Sequence, residues 1–214
     1  MKLVLFDCDG TLVDSAFFIH KCVEAVFLEY ELTPPRLDQT KSIIGLSLHD
    51  AFDILLEGQL ASKLDQMVLD YKRNFFEIRT KEQLLEPLYD GIRDVITQLH
   101  SQDEIILGVV TGKSRRGLKA ILSGHELQHY FGPLRTADDC PSKPHPAMVL
   151  ECCDEVGIEP SSTYVIGDAI FDIDMAKNAG ATSIGVTWGY GGKADIDKSN
   201  HIVRNPSEIF EIIG

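Results

Sequence analysis

Cysteine is scarce in this sequence, and the few cysteines are not arranged for cross-linking or for metal binding. Five of the 214 residues are cysteine. The number is odd and no pair shows Cys-x-x-Cys spacing, so neither a disulfide framework nor a zinc site is indicated. Apolar runs of membrane-spanning length are also missing. The first strand pattern follows Met1 almost at once, which leaves no room for a signal peptide. We therefore expect reduced thiols, a cytoplasmic location and no membrane partner.

Basic residues are outnumbered by acidic ones. Lys and Arg total 20 against 33 Asp and Glu, which gives a formal net charge of -13. Such a surplus disfavours nucleic acids and anionic membrane surfaces as partners. The apolar fraction of 44% and the charged fraction of 25% are those of a globular protein. A chain of 214 residues can bury the core of one large or two small domains.

Hydrophobic periodicity divides the chain into an α/β part and a helical part. Residues 3–6 form a continuous apolar run, which predicts a buried strand of a parallel sheet. About seventy residues without a convincing strand then show helical spacing, in one pattern that ends near residue 30 and in further patterns around 37–44, 48–55 and 61–76. From residue 88 onward, strand and helix patterns alternate to the end of the chain. The simplest interpretation is a helical insertion between the first strand and the rest of the sheet.

Polar residues gather where the predicted strands end. Asp7 and Asp9 follow the first strand and can point the same way, so the pair can share a cation, although Asp-x-Asp-Gly is also a common surface turn. Thr111 and Gly112 lie where a strand becomes a helix, a place where backbone N–H groups can face an anion. Thr111-Gly112-Lys113-Ser114 is not a P-loop, because Leu107 stands where that motif requires glycine.

Four segments in this order resemble the motifs of the haloacid dehalogenase superfamily, in its phosphatase branch. They are Phe6-Asp7-x-Asp9-Gly10-Thr11-Leu12-Val13-Asp14-Ser15, the strand ending at Thr111, Lys143-Pro144-His145-Pro146, and Gly167-Asp168-x-x-x-Asp172 followed by Ala179-Gly180. The resemblance implies an α/β fold with a Rossmann-like three-layer core and a parallel sheet. It also implies a small all-helical cap inserted after the first strand. The expected core is residues 1–14 and 83–214, and the expected cap is residues 15–82.

The resemblance also implies a role for each motif residue. Asp7 would be the nucleophile that forms an aspartyl-phosphate, and Asp9 would protonate the leaving group and then activate water. Asp7, the backbone carbonyl of Asp9, and Asp168 would hold Mg²⁺. The other implied roles are phosphate binding by Thr111 and Gly112, bridging of nucleophile and phosphate by Lys143, and support of the site by Asp172.

The pattern as a whole looks most like the phosphoglycolate phosphatase-like group, which implies hydrolysis of a small phosphorylated metabolite by a monomer or homodimer. Pyrophosphatase, nucleotidase and phosphosugar mutase remain alternatives within the superfamily. A haloacid dehalogenase is disfavoured because Asp9 is present, and a non-catalytic binding protein is disfavoured because no essential group is missing. Related mutases carry Gly-x-Ser-Arg in the cap, whereas Leu48 stands at the arginine position here. The sequence assigns no role to His145 or Asp174, and leaves Arg73 and Arg79 open as substitute cations.

Overall fold

The central element of the computed structural model is a parallel six-stranded sheet. The structure describes residues 1–82 and 84–214. Gln83, where the sequence predicts the second core segment to begin, lies outside these residues. The strands are β1 Lys2–Phe6, β2 Ile105–Thr111, β3 Leu134–Thr136, β4 Thr163–Gly167, β5 Thr182–Val186 and β6 His201–Val203. Their order is β3-β2-β1-β4-β5-β6 and every neighbouring pair is parallel. The predicted α/β class with a parallel sheet is confirmed.

Helices lie in every connection between consecutive strands, five of them in the described residues between β1 and β2, and a last helix follows β6. They are α1 Ala16–Glu29, α2 Leu37–Lys41, α3 Leu48–Leu56, α4 Leu64–Glu82, α5 Ile92–His100, α6 Arg115–Gly124, α7 Ala147–Val156, α8 Ile170–Ala179, α9 Lys193–Ile196 and α10 Ser207–Ile213. Short 3₁₀ turns lie at 61–63, 128–130 and 160–162. None of the helices in the described ranges combines the length and hydropathy needed to cross a membrane.

The sheet is covered on both faces because side chains alternate along each strand. Val4 and Phe6 belong to a core cluster that includes buried side chains of α5, α6 and α10. Leu3 and Leu5 belong to a second cluster, which includes buried side chains of α7 and α8. This alternation makes β1 a fully buried strand between two helical layers, as its unbroken apolar sequence predicts.

The strand order reverses at β1, and this places three polar strand ends side by side. β1 pairs with β2 on one side and with β4 on the other. The backbone N–H of Asp7 donates to the carbonyl of Ile166 at 2.8 Å, which aligns Asp7 with the end of β4. In open α/β sheets, ligands bind in the crevice at such a reversal, beyond the carboxyl ends of the strands. Asp7, Thr111 and Asp168 therefore meet at one crevice.

Helices α1 to α4 have an apolar cluster of their own. The buried side chains of this helical cluster all lie between residues 16 and 75: Ala16, Phe18, Ile19, Cys22, Val23, Val26, Phe27, Ile43, Ile44, Ala51, Phe52, Leu56, Leu64, Met67, Tyr71 and Phe75. Aromatic rings contact one another within it, with ring centroids of Phe18 and Phe75 4.6 Å apart. These helices therefore pack mainly through one another.

Two helix boundaries differ from those that periodicity predicts. The helical pattern over 37–44 ends as a helix at Lys41 and continues as turns. The pattern over 61–76 instead extends as α4 to Glu82. The last turns of α4 contain Arg79 and Lys81, which are good helix formers, so the helix continues after the apolar repeat has stopped. Helix α9 is an element that the sequence pattern did not predict.

We expect packing within the helical cluster to contribute directly to stability. Leu56 is 2% exposed and Leu69 is 58% exposed. Leu56→Ala should lower the free energy of unfolding by about 2–5 kcal/mol, because it removes buried methyl groups and leaves a cavity. Leu69→Ala is the matched control and should change it by less than about 0.5 kcal/mol. Urea unfolding measures both, and equal effects would contradict the packing described here.

Candidate active site

Three buried carboxylates and one lysine form the centre of the crevice. Asp7, Asp168 and Asp172 each place a carboxylate oxygen within 4.8 Å of the other two. The Nζ of Lys143 donates to Oδ1 of Asp7 and to Oδ1 of Asp172, at 2.6 Å in each case. None of the four residues is more than 2% exposed. With every group ionised, three negative charges would therefore face one positive charge in a site without bulk water.

The three carboxylates lie at the ends of secondary-structure elements. Asp7 directly follows β1 and Asp168 directly follows β4. Asp172 lies in the first turn of α8, where its Oδ2 accepts a hydrogen bond from the backbone N–H of Ala169 at 3.1 Å. A carboxylate is favoured there because the first N–H groups of a helix have no partner within the helix. Lys143 lies in the loop before α7, and its ammonium group contacts Asp7 and Asp172.

Burial and mutual repulsion raise the pKa values of two of the carboxylates. Burial raises the pKa of Asp7 to about 8; Lys143 opposes this rise, while Asp172 and Asp168 add to it. Burial and the charge of Asp172 raise the pKa of Asp168 to about 7, against hydrogen bonds from Tyr190 and Thr11. Burial disfavours the charged form of Lys143, but the carboxylates of Asp172 and Asp7 outweigh it and raise the pKa of the lysine. One lysine does not offset three buried carboxylates.

The donor set fits a hard divalent cation. Oδ2 of Asp7 is buried and has no hydrogen-bond partner among the residues that the structure describes. Asp168 lies across the crevice from it, with its oxygens accepting hydrogen bonds from Thr11 Oγ1 at 3.2 Å and the backbone N–H of Tyr190 at 2.7 Å. Carboxylate oxygens are the ligands that such cations prefer. A cation between these two residues would supply the missing positive charge.

Asp9 is held by a lysine that the sequence reasoning did not single out. The Nζ of Lys113 donates to both carboxylate oxygens of Asp9, at 2.7 and 2.9 Å. The two side chains are less than a tenth exposed. Burial disfavours the charged form of Lys113, but Asp9 and other nearby acidic groups outweigh it and raise the pKa of the lysine. The carboxylate of Asp9 is therefore separate from the cluster formed by Asp7, Asp168 and Asp172.

Thr111 and Gly112 lie beside this pair, at the end of β2. The backbone N–H of Lys113 donates to Oγ1 of Thr111 at 3.2 Å. A side chain at position 112 would collide with the backbone carbonyls of Gly45 and Leu46 in the helical part of the chain. Glycine at 112 thus allows the two parts of the chain to approach closely over the crevice. The backbone at Gly112 also borders a cavity that Asp9 lines.

The loop after β5 closes the crevice on the side of Asp168. Besides its backbone bond to Asp168, Tyr190 accepts hydrogen bonds at its hydroxyl from the backbone N–H groups of Ser15 and Ala16, at 2.6 and 3.0 Å. The same hydroxyl donates to Oδ1 of Asp14 at 2.9 Å. Tyr190 thereby connects the carboxylate of Asp168 to the start of the helical part. The sequence signal for this segment is the glycine-rich run Trp188-Gly189-Tyr190-Gly191-Gly192, which lies shortly after β5.

Two polar residues that the sequence left without a role lie outside the cluster. His145 is exposed, and its Nδ1 accepts a hydrogen bond from the backbone N–H of Ala147 at 3.2 Å. Asp174 is half-buried and is not among the clustered carboxylates. The residues that sequence reasoning missed are Lys113 and the hydrogen-bonding role of Tyr190. A lysine two residues after Thr111, at the end of a neighbouring strand, was a signal available for the first.

Comparison with known proteins identifies the family. A family model described as haloacid dehalogenase-like hydrolase matches residues 4–186. The chain belongs to the haloacid dehalogenase-like hydrolases. The match runs from within β1 to the end of β5 and confirms the resemblance drawn from the four motifs. Among solved structures, a haloacid dehalogenase-like hydrolase from Streptococcus pneumoniae superposes with a TM-score of 0.86 at 24% identity, covering 100% of this chain and 99% of that one.

Curated relatives of this haloacid dehalogenase-like hydrolase carry two kinds of name. A phosphoglycolate phosphatase from Mannheimia succiniciproducens is 30% identical over 216 residues, covering 98% of this chain and 94% of the relative. A pyrophosphatase, PpaX, from Bacillus mycoides is 28% identical and covers 100% of this chain and 97% of the relative. Both names denote enzymes that act on phosphate compounds.

The raised carboxyl pKa values predict how the stability of the metal-free protein changes with pH. Folded Asp7 and Asp168 have pKa values of about 8 and about 7, against an ordinary value of 3.8. At pH values between the ordinary pKa of 3.8 and the raised pKa of each group, the folded state therefore holds more protons than the unfolded state. The free energy of unfolding consequently falls as pH rises across this range. One such carboxyl contributes a slope of up to about 1.4 kcal/mol per pH unit.

Asp168→Asn should weaken this dependence, because it removes one of the two groups. Urea unfolding in EDTA at several pH values from about 5 to 8.5 measures the slope. We expect the stability of Asp168→Asn relative to the wild type to rise with pH across that range. Parallel slopes for the two proteins would contradict the proposed origin of the pKa shifts.

Proposed function

We propose that this chain is a Mg²⁺-dependent phosphatase that hydrolyses a small phosphate monoester through an aspartyl-phosphate on Asp7. The observation that carries the proposal is the different hydrogen bonding of the two carboxylate oxygens of Asp7. Lys143 fixes Oδ1 by a 2.6 Å hydrogen bond, while Oδ2 is buried at the crevice and has no partner within the described ranges. A carboxylate oriented through one oxygen can present the other to phosphorus in a geometry suited to attack.

The reaction follows from the residues around this oxygen. Oδ2 of Asp7 forms a bond to phosphorus as the bond between phosphorus and the leaving oxygen breaks, and Asp9 gives that oxygen a proton. Asp9 then takes a proton from the water that attacks the aspartyl-phosphate, which releases inorganic phosphate and restores Asp7. Lys113 bonds both oxygens of Asp9 in the structure, so one of these hydrogen bonds must break before Asp9 can donate a proton.

The remaining residues would bind and neutralise the phosphoryl group. Thr111 Oγ1 and the backbone N–H groups around Gly112 would hold its oxygens, and Lys143 would reduce its repulsion from Asp7. Asp172 would position Lys143, because its Oδ1 accepts the second hydrogen bond of that ammonium. These are charge-stabilising and orienting roles, which is what phosphoryl transfer mainly requires.

Mg²⁺ would be held by Asp7, Asp168 and the backbone carbonyl of Asp9. The surplus of buried negative charge on Asp7, Asp168 and Asp172 supports this assignment. When bound, Mg²⁺ would supply the positive charge that lets an ionised Asp7 and a phosphate dianion approach one another. Hydrolysis should therefore stop in EDTA and resume when Mg²⁺ is added.

The substrate would be a small phosphorylated metabolite of the phosphoglycolate type. The name of the Mannheimia relative supports this choice, and the name of the Bacillus relative makes pyrophosphate the second candidate. Phosphate migration on a sugar is disfavoured, because Leu48 lines the cavity at the position where related mutases carry arginine. Asp9 argues against carbon–halogen hydrolysis. The presence of all the essential groups, Asp7, Asp9, Thr111, Lys143 and Asp168, argues against a non-catalytic binding protein.

Residues 15–82 would act as a cap over a core formed by 1–14 and 83–214. The separate apolar cluster of helices α1 to α4 supports this division. The backbone N–H of Ser47 donates to Oγ of Ser142 at 2.9 Å, next to Lys143, so the cap contacts the loop that carries the site lysine. A closed cap would exclude bulk water from the reaction. Cytoplasmic location, monomer or homodimer state, and the lack of nucleic-acid and membrane partners stay predictions.

Asp7→Asn tests the covalent mechanism. An amide has nearly the volume of the carboxylate but is a poor nucleophile, so release of phosphate from 2-phosphoglycolate should fall to background while the fold is kept. Asp174→Asn is the matched control and should retain wild-type turnover, because Asp174 is outside the carboxylate cluster. Phosphate release in Mg²⁺ measures both, with thermal unfolding as the check on folding. Turnover by Asp7→Asn would rule out an aspartyl-phosphate on this residue.

Asp9→Asn tests the role of the general acid. Alkyl leaving groups need a proton and aryl leaving groups need much less, so the loss should depend on the substrate. We expect kcat to fall by about 10²–10⁴-fold with ethyl phosphate and by clearly less with p-nitrophenyl phosphate. Steady-state kinetics with the two substrates provide the comparison. Equal losses would show that Asp9 does not protonate the leaving group.

A further inference from the structure

A small cavity lies where the leaving group of a substrate would sit. It has a volume of about 70 Å³ and extends from Asp9 and Gly112 of the core to the helical part of the chain. Its apolar walls are Ile19, Ile43, Ile44, Leu46, Leu48, Ala51, Tyr71, Phe75 and Phe76. Pockets for drug-sized ligands measure roughly 300–1,000 Å³. The cavity therefore suits a leaving group of a few heavy atoms, and its apolar walls do not suit a ring of hydroxyl groups.

Charged side chains line this cavity at two places. Within the described parts of the chain, the charged lining residues are Asp9, Lys113 and Lys72. Lys113 is committed to Asp9 by two short hydrogen bonds. Among the described residues, Lys72 of α4 forms an ion pair with Asp138, with 4.0 Å between Nζ and Oδ1. This distance is too long for a hydrogen bond, and both side chains are partly exposed. Such a pair contributes little, so Lys72 can turn to another anion at small cost.

The arginines that the sequence left open are engaged elsewhere. Arg73 donates to Glu29 at 3.0 Å and also pairs with Asp70, on the outer side of the helical cluster. Arg79 pairs with the buried carboxylate of Glu86 at 3.2 Å. Neither arginine is among the residues that line the cavity. Lys72 is thus the cap cation at this place among the residues that the structure describes.

We propose that Lys72 binds an anionic group carried by the leaving portion of the substrate. The substrate class would be a short phosphate compound whose leaving group is itself an anion, either a carboxylate or a second phosphoryl group. One end would lie at Asp7, the apolar walls would contact the middle, and the ammonium of Lys72 would bind the far end. This inference rests on the proposed phosphatase function and adds the residue that selects among small phosphates.

Two substrates of similar size test the inference. 2-Phosphoglycolate and ethyl phosphate both place a two-carbon group on phosphate, but only the first carries a carboxylate. Lys72→Met should lower kcat/KM for 2-phosphoglycolate by about 10–100-fold, mainly through KM, because a hydrogen bond to a charged group is lost. For ethyl phosphate the change should stay within about threefold. Pyrophosphate, assayed in parallel, shows whether a phosphoryl group is the preferred anion.

Two further variants serve as controls. Lys72→Arg keeps the charge and should recover much of the loss on 2-phosphoglycolate. Lys63→Met removes an exposed lysine that does not line the cavity, from the same helical part, and should match the wild type with every substrate. Thermal unfolding of Lys72→Met should match the wild type closely, because the pair with Asp138 is loose.

The outcomes separate this inference from the function on which it rests. A selective loss by Lys72→Met on 2-phosphoglycolate, pyrophosphate or both supports it, and identifies the anion as carboxylate, phosphoryl group or either. Equal losses on charged and neutral substrates, or no loss on any, would overturn it while leaving the phosphatase intact. If the wild type with Mg²⁺ hydrolyses none of the three compounds, the proposed function fails as well.

Discussion

The surplus of buried negative charge at the carboxyl edge of the sheet is the constraint on which this site depends. Three carboxylates cluster in a buried site, and the one ammonium there, that of Lys143, bonds to two of them. Hydrogen bonds to Asp168 and Asp172 compensate part of the burial. Oδ2 of Asp7, however, has no partner in the part of the chain that the structure describes, and burial raises the pKa of Asp7 to about 8. Replacing buried charged groups by apolar residues of similar size is often neutral or stabilising. The arrangement is therefore explained by chemistry rather than by stability.

Backbone topology makes this concentration of charge possible. Because β1 lies between β2 and β4 in a parallel sheet, the residues that follow three strands reach the same crevice without any long-range adjustment. Close backbone approach then completes it. Gly10 has a φ of +88°, and a side chain there would lie 2.5 Å from the carboxylate oxygens of Asp168. A glycine at this position both allows the turn and lets the carboxylate after β4 pack against the motif after β1.

The lysines at this edge of the sheet bind different carboxylates. Lys143 lies between Asp7 and Asp172, and Lys113 holds Asp9 apart from them. This separation keeps the two aspartates of the first motif in different surroundings: Asp7 shares its ammonium with Asp172 inside the carboxylate cluster, whereas both oxygens of Asp9 bond to a second ammonium outside it. Different surroundings are what allow two carboxylates to take different roles in one reaction. Lys72 is different again, because its ion pair is loose and it faces the cavity from the helical side.

The sequence by itself determined the α/β class, the strand ends that carry the site, the helical insertion after β1 and the family. These features depend on local signals: the alternation of apolar residues, the glycines after strands, and the order of four short motifs. Only the tertiary structure decided that Lys113 bonds Asp9, that Arg73 and Arg79 pair away from the cavity, and that Lys72 lines it. The reason is physical. A long basic side chain can pair with carboxylates that lie far away in the sequence, as Lys113 does with Asp9. Which carboxylate it pairs with depends on how helices and loops pack over the sheet rather than on any local pattern.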